Sequence, residues 1–298
     1  MISRLLTNPF LLLTLTALAW AGNTIAGRLA VGEVSPMVLT TLRWVISFTL
    51  MGLFVRADVA RALPLFRQRP LYLTLMGIIG FTGFNAIYYV AAHYTSAANL
   101  GIMQSSTPLF VMIGAVLLGQ SQVNLAQVIG LAIGLAGVLI VVTTGRWEVL
   151  HNLAFNIGDL LLILISAMYA GYSLGLRHRP QGVPGLTFFA AMALVAAITS
   201  LPPLIGEIVA GKAIWPTQRG WLIVAYVAVL PSLLAQVWYI RGVAALGAAR
   251  SGYIFYAIPV FASVMAVVFL GEPFGWYHAA GLVLVLGGIA FAERFGIN

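Results

Sequence analysis

The sequence contains no cysteine and few charged residues. Its 298 residues include 7 acidic and 15 Lys or Arg side chains, so that 7% are charged, whereas 61% are hydrophobic. The mean hydropathy is +1.02. The lack of cysteine excludes disulfides, Cys-ligated metals and thiol chemistry. The lack of charge excludes a water-soluble globular protein of this length, because too few polar groups are present to cover its surface. The chain is therefore predicted to be a membrane protein with many spans.

The sequence also lacks the motifs of intramembrane enzymes. It has no His-Glu-x-x-His metal motif, no Gly-x-Ser-Gly nucleophile turn and no pair of aspartates suited to hold magnesium. No charged ring or filter-like segment favours a channel. We therefore expect no enzymatic activity, no cofactor and no metal.

Apolar runs long enough to cross a bilayer occupy almost the whole chain. A helix needs about 20 residues to do so. We predict an all-α membrane protein with ten transmembrane helices near residues 8–28, 34–56, 70–93, 96–119, 124–143, 157–177, 184–207, 217–242, 248–270 and 275–293. The loops between them leave no room for a soluble domain.

The second half of the sequence repeats the first. The matched positions, 149 to 151 residues apart, include Trp20 with Tyr169, Tyr88 with Tyr239 and Pro108 with Pro259. A unit with an odd number of spans places its second copy upside down in the bilayer. Inverted repeats around a site at the bilayer midplane are typical of secondary transporters. We predict two inverted five-helix repeats, residues 1–145 and 150–298, around a central cavity.

The basic residues predict the orientation, because cytoplasmic loops are enriched in Lys and Arg. With the N-terminus inside, the cytoplasmic side holds ten arginines: Arg4, Arg56, Arg61, Arg67, Arg69, Arg177, Arg179, Arg241, Arg250 and Arg294. The other side holds four basic residues: Arg28, Arg146, Lys212 and Arg219. Both termini are thus expected in the cytoplasm. Topology and anionic lipid account for the net charge of +8, so no nucleic-acid partner is expected.

Two ionisable residues fall within or near the ends of predicted spans without an obvious partner. Arg43 lies inside the second span with no acid nearby in sequence. It is either a structural residue that binds carbonyls or a distant acid, or a ligand for a substrate carboxylate. His93, near the outer end of the third span, is an interfacial residue, a substrate contact or a proton carrier.

Aromatic and amide residues spaced three apart share helix faces at matching places in the two repeats. The pairs are Trp20 with Asn23, Tyr169 with Tyr172, Asn85 with Tyr88, and Gln236 with Tyr239. These faces either line a wet cavity or hold helices together. A cavity would let a substrate ring stack on Trp and Tyr while the amides bind its polar groups.

Two prolines, Pro108 and Pro259, fall near the centres of the fourth and ninth spans, with Gln104 and Tyr256 beside them as further candidate contacts. A proline inside a helix removes a backbone hydrogen bond and bends the helix. We predict a matched pair of bends, used either for gating or as static kinks.

Several short segments carry a family resemblance. They are Ala19-Trp20-Ala21-Gly22, Ser35-Pro36 followed by Leu42-Arg43, Tyr94-Thr95-Ser96-Ala97 leading to Thr107-Pro108, and Leu270-Gly271-Glu272-Pro273. With them the chain resembles, over essentially its whole length, the EamA-type drug/metabolite transporters, and within that superfamily the bacterial aromatic amino-acid exporters. The resemblance implies ten helices, a bacterial inner-membrane location and export of phenylalanine, tyrosine and tryptophan by alternating access.

The transport mode and partners follow as expectations. Since none of the acidic residues lies centrally in a predicted span, we expect facilitated diffusion or exchange. The alternative is a proton-driven efflux pump for cationic drugs, which would be expected to place a carboxylate in the cavity. The expected partners are a small-molecule substrate and the lipid bilayer, and the sequence leaves open whether the protein is a monomer or a dimer.

Overall fold

The computed structural model describes residues 8–104, 106–119, 125–146, 148, 156–246 and 254–295. Every regular element in these ranges is helical. The first half contains α1 Pro9–Leu29, α2 Pro36–Arg67, α3 Pro70–Gly77, α4 Gly83–Ala91, α5 Ala97–Gln104, α6 Thr107–Leu117 and α7 Leu125–Val142. The second half contains α8 Ile157–Gly175, α9 Gly185–Thr199, α10 Leu201–Val209, α11 Gln218–Val229, α12 Ala235–Leu246, α13 Ile254–Leu270 and α14 Trp276–Phe295. Two π-helical segments, Ile78–Thr82 and Leu230–Leu234, join α3 to α4 and α11 to α12.

Within the described ranges, seven helical runs are long and apolar enough to cross a membrane. They are Pro9–Leu29, Pro36–Leu53, Pro70–Ala91, Ala97–Leu117, Ile157–His178, Gly185–Val209 and Gln218–Gly242. Three further apolar helices are shorter: Leu125–Val141, Ala257–Leu270 and Trp276–Gly288. The prediction of an all-helical protein with several membrane spans is confirmed. The start of the predicted ninth span, residues 248–253, lies outside the described residues.

Side chains at the helix starts explain where several helices begin. Asn8 Oδ1 accepts hydrogen bonds from Phe10 N at 3.0 Å and Leu11 N at 3.3 Å, and Pro9 follows as the first residue of α1. Asn156 Oδ1 accepts in the same way from Gly158 N at 2.7 Å at the start of α8. An Asn cap binds N–H groups that have no partner within the helix, and proline in the first turn needs none.

Glycines set the packing of α7 against α14. A Cβ atom on Gly137 would lie 2.9 Å from Gly281 O and 2.9 Å from Val285 N. A Cβ on Gly288 would lie 2.5 Å from Gly130 O. The two backbones therefore touch directly, which is the arrangement that small residues permit between membrane helices.

At one end of the bundle, two carboxylates of the second half cap helices of the first half. Glu207 accepts from Ser35 Oγ at 2.6 Å and Val38 N at 3.3 Å at the start of α2. Glu272 accepts from Ala97 N at 2.9 Å and Ala98 N at 3.1 Å at the start of α5. Both satisfy N–H groups at the positive end of a helix dipole. We call this end, formed by residues 30–35, 92–96, 210–217 and 271–275, the capped end.

Candidate functional site: a central cavity

A cavity of about 370 Å³ lies in the middle of the bundle, between the two halves. Its lining includes Trp20, Asn23, Arg43, Trp44, Gly80, Phe81, Phe84, Asn85, Gln104, Thr107, Val111, Tyr169, Tyr172, Ser173, Phe189, Pro231, Ser232, Gln236, Ile258 and Pro259. Small-molecule sites usually measure about 300 to 1,000 Å³. The volume therefore suits one solute of amino-acid size.

Most of the residues predicted for the site lie at this cavity. Those that line it are Trp20, Asn23, Arg43, Asn85, Gln104, Tyr169, Tyr172, Gln236 and Pro259. The backbone of Tyr256 lies in the first turn of α13 and that of Pro108 in the first turn of α6, but their side chains fall outside the described residues. Whether any of these residues binds a substrate stays a prediction.

Tyr88 and Tyr239 were predicted as cavity contacts, and the structure places both outside the lining. Tyr88 is fully buried and stacks on Phe84, with ring centroids 6.1 Å apart. It lies one turn beyond Asn85, where α4 enters the buried core that separates the cavity from the capped end. Tyr239 packs instead against Trp20, with ring centroids 5.5 Å apart.

Arg43 is held at the cavity wall by three neutral side chains. Its Nε donates to Ser232 Oγ at 2.6 Å, and its Nη1 donates to Tyr89 Oη at 2.6 Å and to Asn23 Oδ1 at 3.2 Å. The residue is 6% exposed. Of the described carboxylates, none lies within 4.0 Å of the guanidinium. The charge is therefore oriented by its partners but not neutralised by them.

A proline explains why Ser232 is available to Arg43. Pro231 lies in the second π-helical segment and has no N–H group. It therefore cannot donate to Val227 O, the carbonyl four residues earlier. The hydroxyl of Ser232 donates to that carbonyl at 2.6 Å. Since its proton is used there, Ser232 Oγ presents a lone pair to Arg43.

The two π-helical segments begin at Ile78 and Leu230, which stand 152 positions apart, one residue more than Tyr88 and Tyr239. Gly80 and Phe81 of the first segment line the cavity, as do Pro231 and Ser232 of the second. Asn85 Nδ2 donates to Phe81 O at 2.8 Å and so satisfies a carbonyl of the first segment. Such bulges often mark functional sites in helices.

The prolines predicted as a matched pair of bends are not structurally equivalent. Pro108 lies in the first turn of α6, where a missing N–H has no consequence, whereas Pro259 lies inside the continuous helix α13. The interruptions at equivalent places are the π-helical segments instead. A gating role for the two prolines stays a prediction.

Four aromatic residues of the lining were missed by the sequence analysis. Trp44 packs on Phe81 with centroids 5.0 Å apart, and Phe81 packs on Tyr172 at 5.5 Å and on Phe189 at 5.6 Å. Phe84 packs on Tyr169 at 5.3 Å. The helical spacing of positions 81, 84, 85 and 88 was a signal for Phe81 and Phe84, since it puts both rings on the face of Asn85.

His93 lies away from the central cavity, in a second cavity of about 560 Å³ at the capped end. Loss of solvation, and then the nearby charge of Arg28, lower the pKa of His93 below its ordinary value. The shift in pKa favours the neutral imidazole of His93. Arg28 itself donates to Ala92 O at 2.5 Å and lies 3.9 Å from Glu272.

The second cavity also contains a polar network that the sequence analysis did not predict. Asp159, 2% exposed, accepts from Thr95 Oγ1 at 2.7 Å and Asn99 Nδ2 at 3.2 Å. His278 Nδ1 accepts from Gly275 N at 3.0 Å, so its Nε2 carries the proton and donates to Asn99 Oδ1 at 3.1 Å. The network joins the starts of α5, α8 and α14 at the capped end.

Comparison with known families gives a match over nearly the whole chain. The model of the EamA-like transporter family matches residues 8–143 and again residues 156–293. A solved structure, described as the crystal structure of a protein, aligns with a TM-score of 0.64 over 97% of each chain at 23% identity. At that identity the likeness concerns the fold alone.

Two relatives with curated names are also transporters by name. The uncharacterized transporter YyaM of Bacillus subtilis is 28% identical over 235 residues, which cover 76% of this chain and 74% of the relative. The aromatic amino acid exporter YddG of Ancylobacter novellus is 25% identical over 278 residues, which cover 92% of this chain and 93% of the relative.

Proposed function

The chain belongs to the EamA-like transporter family and is thus a membrane transporter and not an enzyme, and on that premise we propose that it exports aromatic amino acids by alternating access. Phenylalanine, tyrosine and tryptophan are the proposed substrates. They move by facilitated diffusion or exchange through the central cavity, which opens to one side of the membrane at a time.

The observation that carries this proposal is the composition of the cavity wall. Aromatic rings such as Phe81, Phe84 and Tyr172 offer faces and edges to a substrate ring, and Arg43 offers a charge to a carboxylate. The described lining contains no Asp or Glu. A cationic drug would therefore meet a positive charge and no negative one, which makes cationic-drug efflux the weaker function.

The proposed architecture has ten spans in two inverted repeats, residues 1–145 and 150–298. The seven long helical runs and the three shorter apolar helices support that number, and the two π-helical segments at matching places support the repeat. We place the protein in a bacterial inner membrane with both termini in the cytoplasm, on the distribution of Lys and Arg. The proposed partners are the solute and the bilayer, with the monomer as the working unit.

Transport by purified protein in liposomes tests the proposal. We expect labelled phenylalanine and tryptophan to equilibrate without an imposed gradient, and faster than leucine or a quaternary ammonium cation. Movement of the cation alone, or strict dependence on a proton gradient, would contradict the proposal and favour drug efflux.

A matched pair of substitutions tests whether the substrate crosses the membrane through the central cavity. Phe84→Ala removes a ring from the lining, and we expect the rate at low phenylalanine concentration to fall by about tenfold, the effect of losing roughly 1.4 kcal/mol of ring contact. Phe269→Ala is the control, because Phe269 is 69% exposed on α13 outside the lining. Equal rates for the two variants would argue against this cavity.

A further inference from the structure

The described lining of the central cavity carries one full charge, and that charge is positive. Arg43 supplies it, and the lining includes neither Asp nor Glu among the described residues. An amino acid brings a carboxylate and an ammonium group into this space. Arg43 matches the first group, whereas the described wall has no carboxylate to neutralise the second and offers it only neutral oxygens and rings.

The polar groups around Arg43 present donors to the cavity. Asn23 Oδ1 is already occupied, because Arg43 Nη1 donates to it at 3.2 Å and Tyr89 Oη donates to it at 3.1 Å. The NH₂ group of Asn23 therefore remains as its donor. The described hydrogen bonds of Arg43 use Nε and Nη1, which leaves Nη2 as the nitrogen for a ligand.

Trp44, the neighbour of Arg43, lines the cavity with its ring. Trp44 is 3% exposed, and its indole Nε1 has no hydrogen-bond partner among the described residues. The guanidinium carbon of Arg43 lies 5.1 Å from the centroid of the Trp44 ring. The indole N–H is itself covered by neighbouring atoms and does not open onto the cavity, so the donors offered to a ligand are those of Arg43 and Asn23. A carboxylate only accepts hydrogen bonds, so it matches the two donors of Arg43 and Asn23.

The other side of the same cavity is aromatic and suits the ring of a substrate. Phe81 lies at the centre of this side, with Trp44, Tyr172 and Phe189 packed around it at centroid distances of 5.0, 5.5 and 5.6 Å. Rings arranged in this way bind another ring by stacked or edge contacts. The cavity thus pairs a carboxylate-binding side with a ring-binding side.

We propose that the central cavity selects aromatic monocarboxylates that lack an ammonium group, such as arylpropionates and aryl 2-oxo acids, over the matching amino acids and over arylamines. This inference rests on the proposed function, because it assumes that the central cavity is the transport site. An ammonium group on the substrate adds a second positive charge near Arg43, where the low dielectric of the bundle strengthens the repulsion. A substrate with a net negative charge is attracted by Arg43 and carries no ammonium group for Arg43 to repel.

Three ligands with the same ring and different charges test the inference. 3-Phenylpropionate is an anion at pH 7, phenylalanine is a zwitterion and 2-phenylethylamine is a cation. Their affinities for the purified protein in lipid nanodiscs are measured by titration calorimetry at constant ionic strength. We expect 3-phenylpropionate to bind about tenfold more tightly than phenylalanine, and 2-phenylethylamine to bind more weakly than both.

Asn23→Asp places a carboxylate beside Arg43 with almost no change of shape. We expect it to reduce the affinity for 3-phenylpropionate by at least tenfold and to improve that for 2-phenylethylamine. Asn8→Asp is the matched control, because Asn8 is an exposed cap of α1 for which Asp serves equally well, and it should keep the wild-type order. Thermal unfolding checks that both variants fold, and the ligand series on the wild-type protein decides the question even where one does not.

The outcomes separate this inference from the proposed function. A preference for 3-phenylpropionate below threefold, or tighter binding of phenylalanine, overturns the inference and leaves aromatic amino-acid export in place. Tightest binding of 2-phenylethylamine overturns both. The absence of binding by all three ligands, together with no transport of phenylalanine in liposomes, also overturns both.

Discussion

The position of Arg43 depends on a series of hydrogen bonds that begins at Pro231. A proline at 231 leaves Val227 O without its helical partner, Ser232 supplies the missing hydrogen bond, and the oxygen of Ser232 then orients Arg43. Each step follows from the one before because buried polar groups must be paired. Ser232 therefore supports both the backbone and the charge in the cavity.

Replacing Ser232 tests this at the residue scale. Ser232→Ala leaves Val227 O and Arg43 Nε each without a hydrogen-bond partner. We therefore expect the free energy of unfolding to fall by about 1 to 3 kcal/mol. Ser263→Ala is the matched control, because the buried hydroxyl of Ser263 has no hydrogen-bond partner among the described residues. Its loss should leave stability unchanged or raise it. Titration with a denaturing detergent measures both variants, and equal losses would contradict the role assigned to Ser232.

Residue spacing predicted much of the cavity wall but not its organisation. Trp20 with Asn23, and Tyr169 with Tyr172, were found because residues three apart share a helix face. The partners of Arg43 were not found, because Tyr89 and Ser232 stand 46 and 189 positions away along the chain. Contacts between residues so far apart in sequence depend on which helices pack against each other, and a hydropathy pattern does not predict helix packing.

At the scale of elements, the apolar runs predicted most helix positions and missed their interruptions. The third and eighth predicted spans each contain a π-helical segment, Ile78–Thr82 and Leu230–Leu234. A π-helical turn changes only the hydrogen-bond register, so the apolar content of the span stays the same. Pro231 was the one signal available for the second segment.

The glycines of α7 give a sharper prediction at this scale. Gly137→Ala would bring a methyl group within 2.9 Å of backbone atoms of Gly281 and Val285. Because backbone cannot turn aside as a side chain can, α7 and α14 must separate, and we expect a loss of about 1 to 3 kcal/mol of stability. Gly52→Ala in α2 meets nothing within 4 Å and should be neutral or stabilising by up to about 1 kcal/mol. A similar response of the two variants in detergent unfolding would show that α7 and α14 do not touch through Gly137.

For the whole molecule, the contacts between the halves at the capped end bear directly on the proposed alternating access. Glu207 and Glu272 cap helices of the other half there, and Thr217 N donates to Glu33 O at 3.0 Å. Buried residues such as Leu39, Tyr88 and Val227 fill the space between these contacts and the cavity. A solute that crosses the membrane through the cavity must therefore separate the halves at this end.

Locking the capped end tests this requirement. The chain has no cysteine of its own, so Glu33→Cys combined with Thr217→Cys introduces a single pair of thiols. Thr217 N donates to Glu33 O at 3.0 Å, and the side chains of the two residues also contact each other, so two cysteines at these positions are neighbours, as a disulfide requires. We expect oxidation of the double variant to reduce phenylalanine transport in liposomes to the rate of empty vesicles, and reductant to restore it.

Each single cysteine variant, treated with the same oxidant, provides the control and should transport as before. Mass spectrometry of the double variant establishes that the disulfide has formed. If the cross-linked protein then transports at the wild-type rate, the capped end does not open, and the solute leaves by a path that keeps residues 33 and 217 together. A block that reductant reverses would instead assign the opening step of alternating access to the separation of these two segments, because a single covalent link between them would be sufficient to stop it.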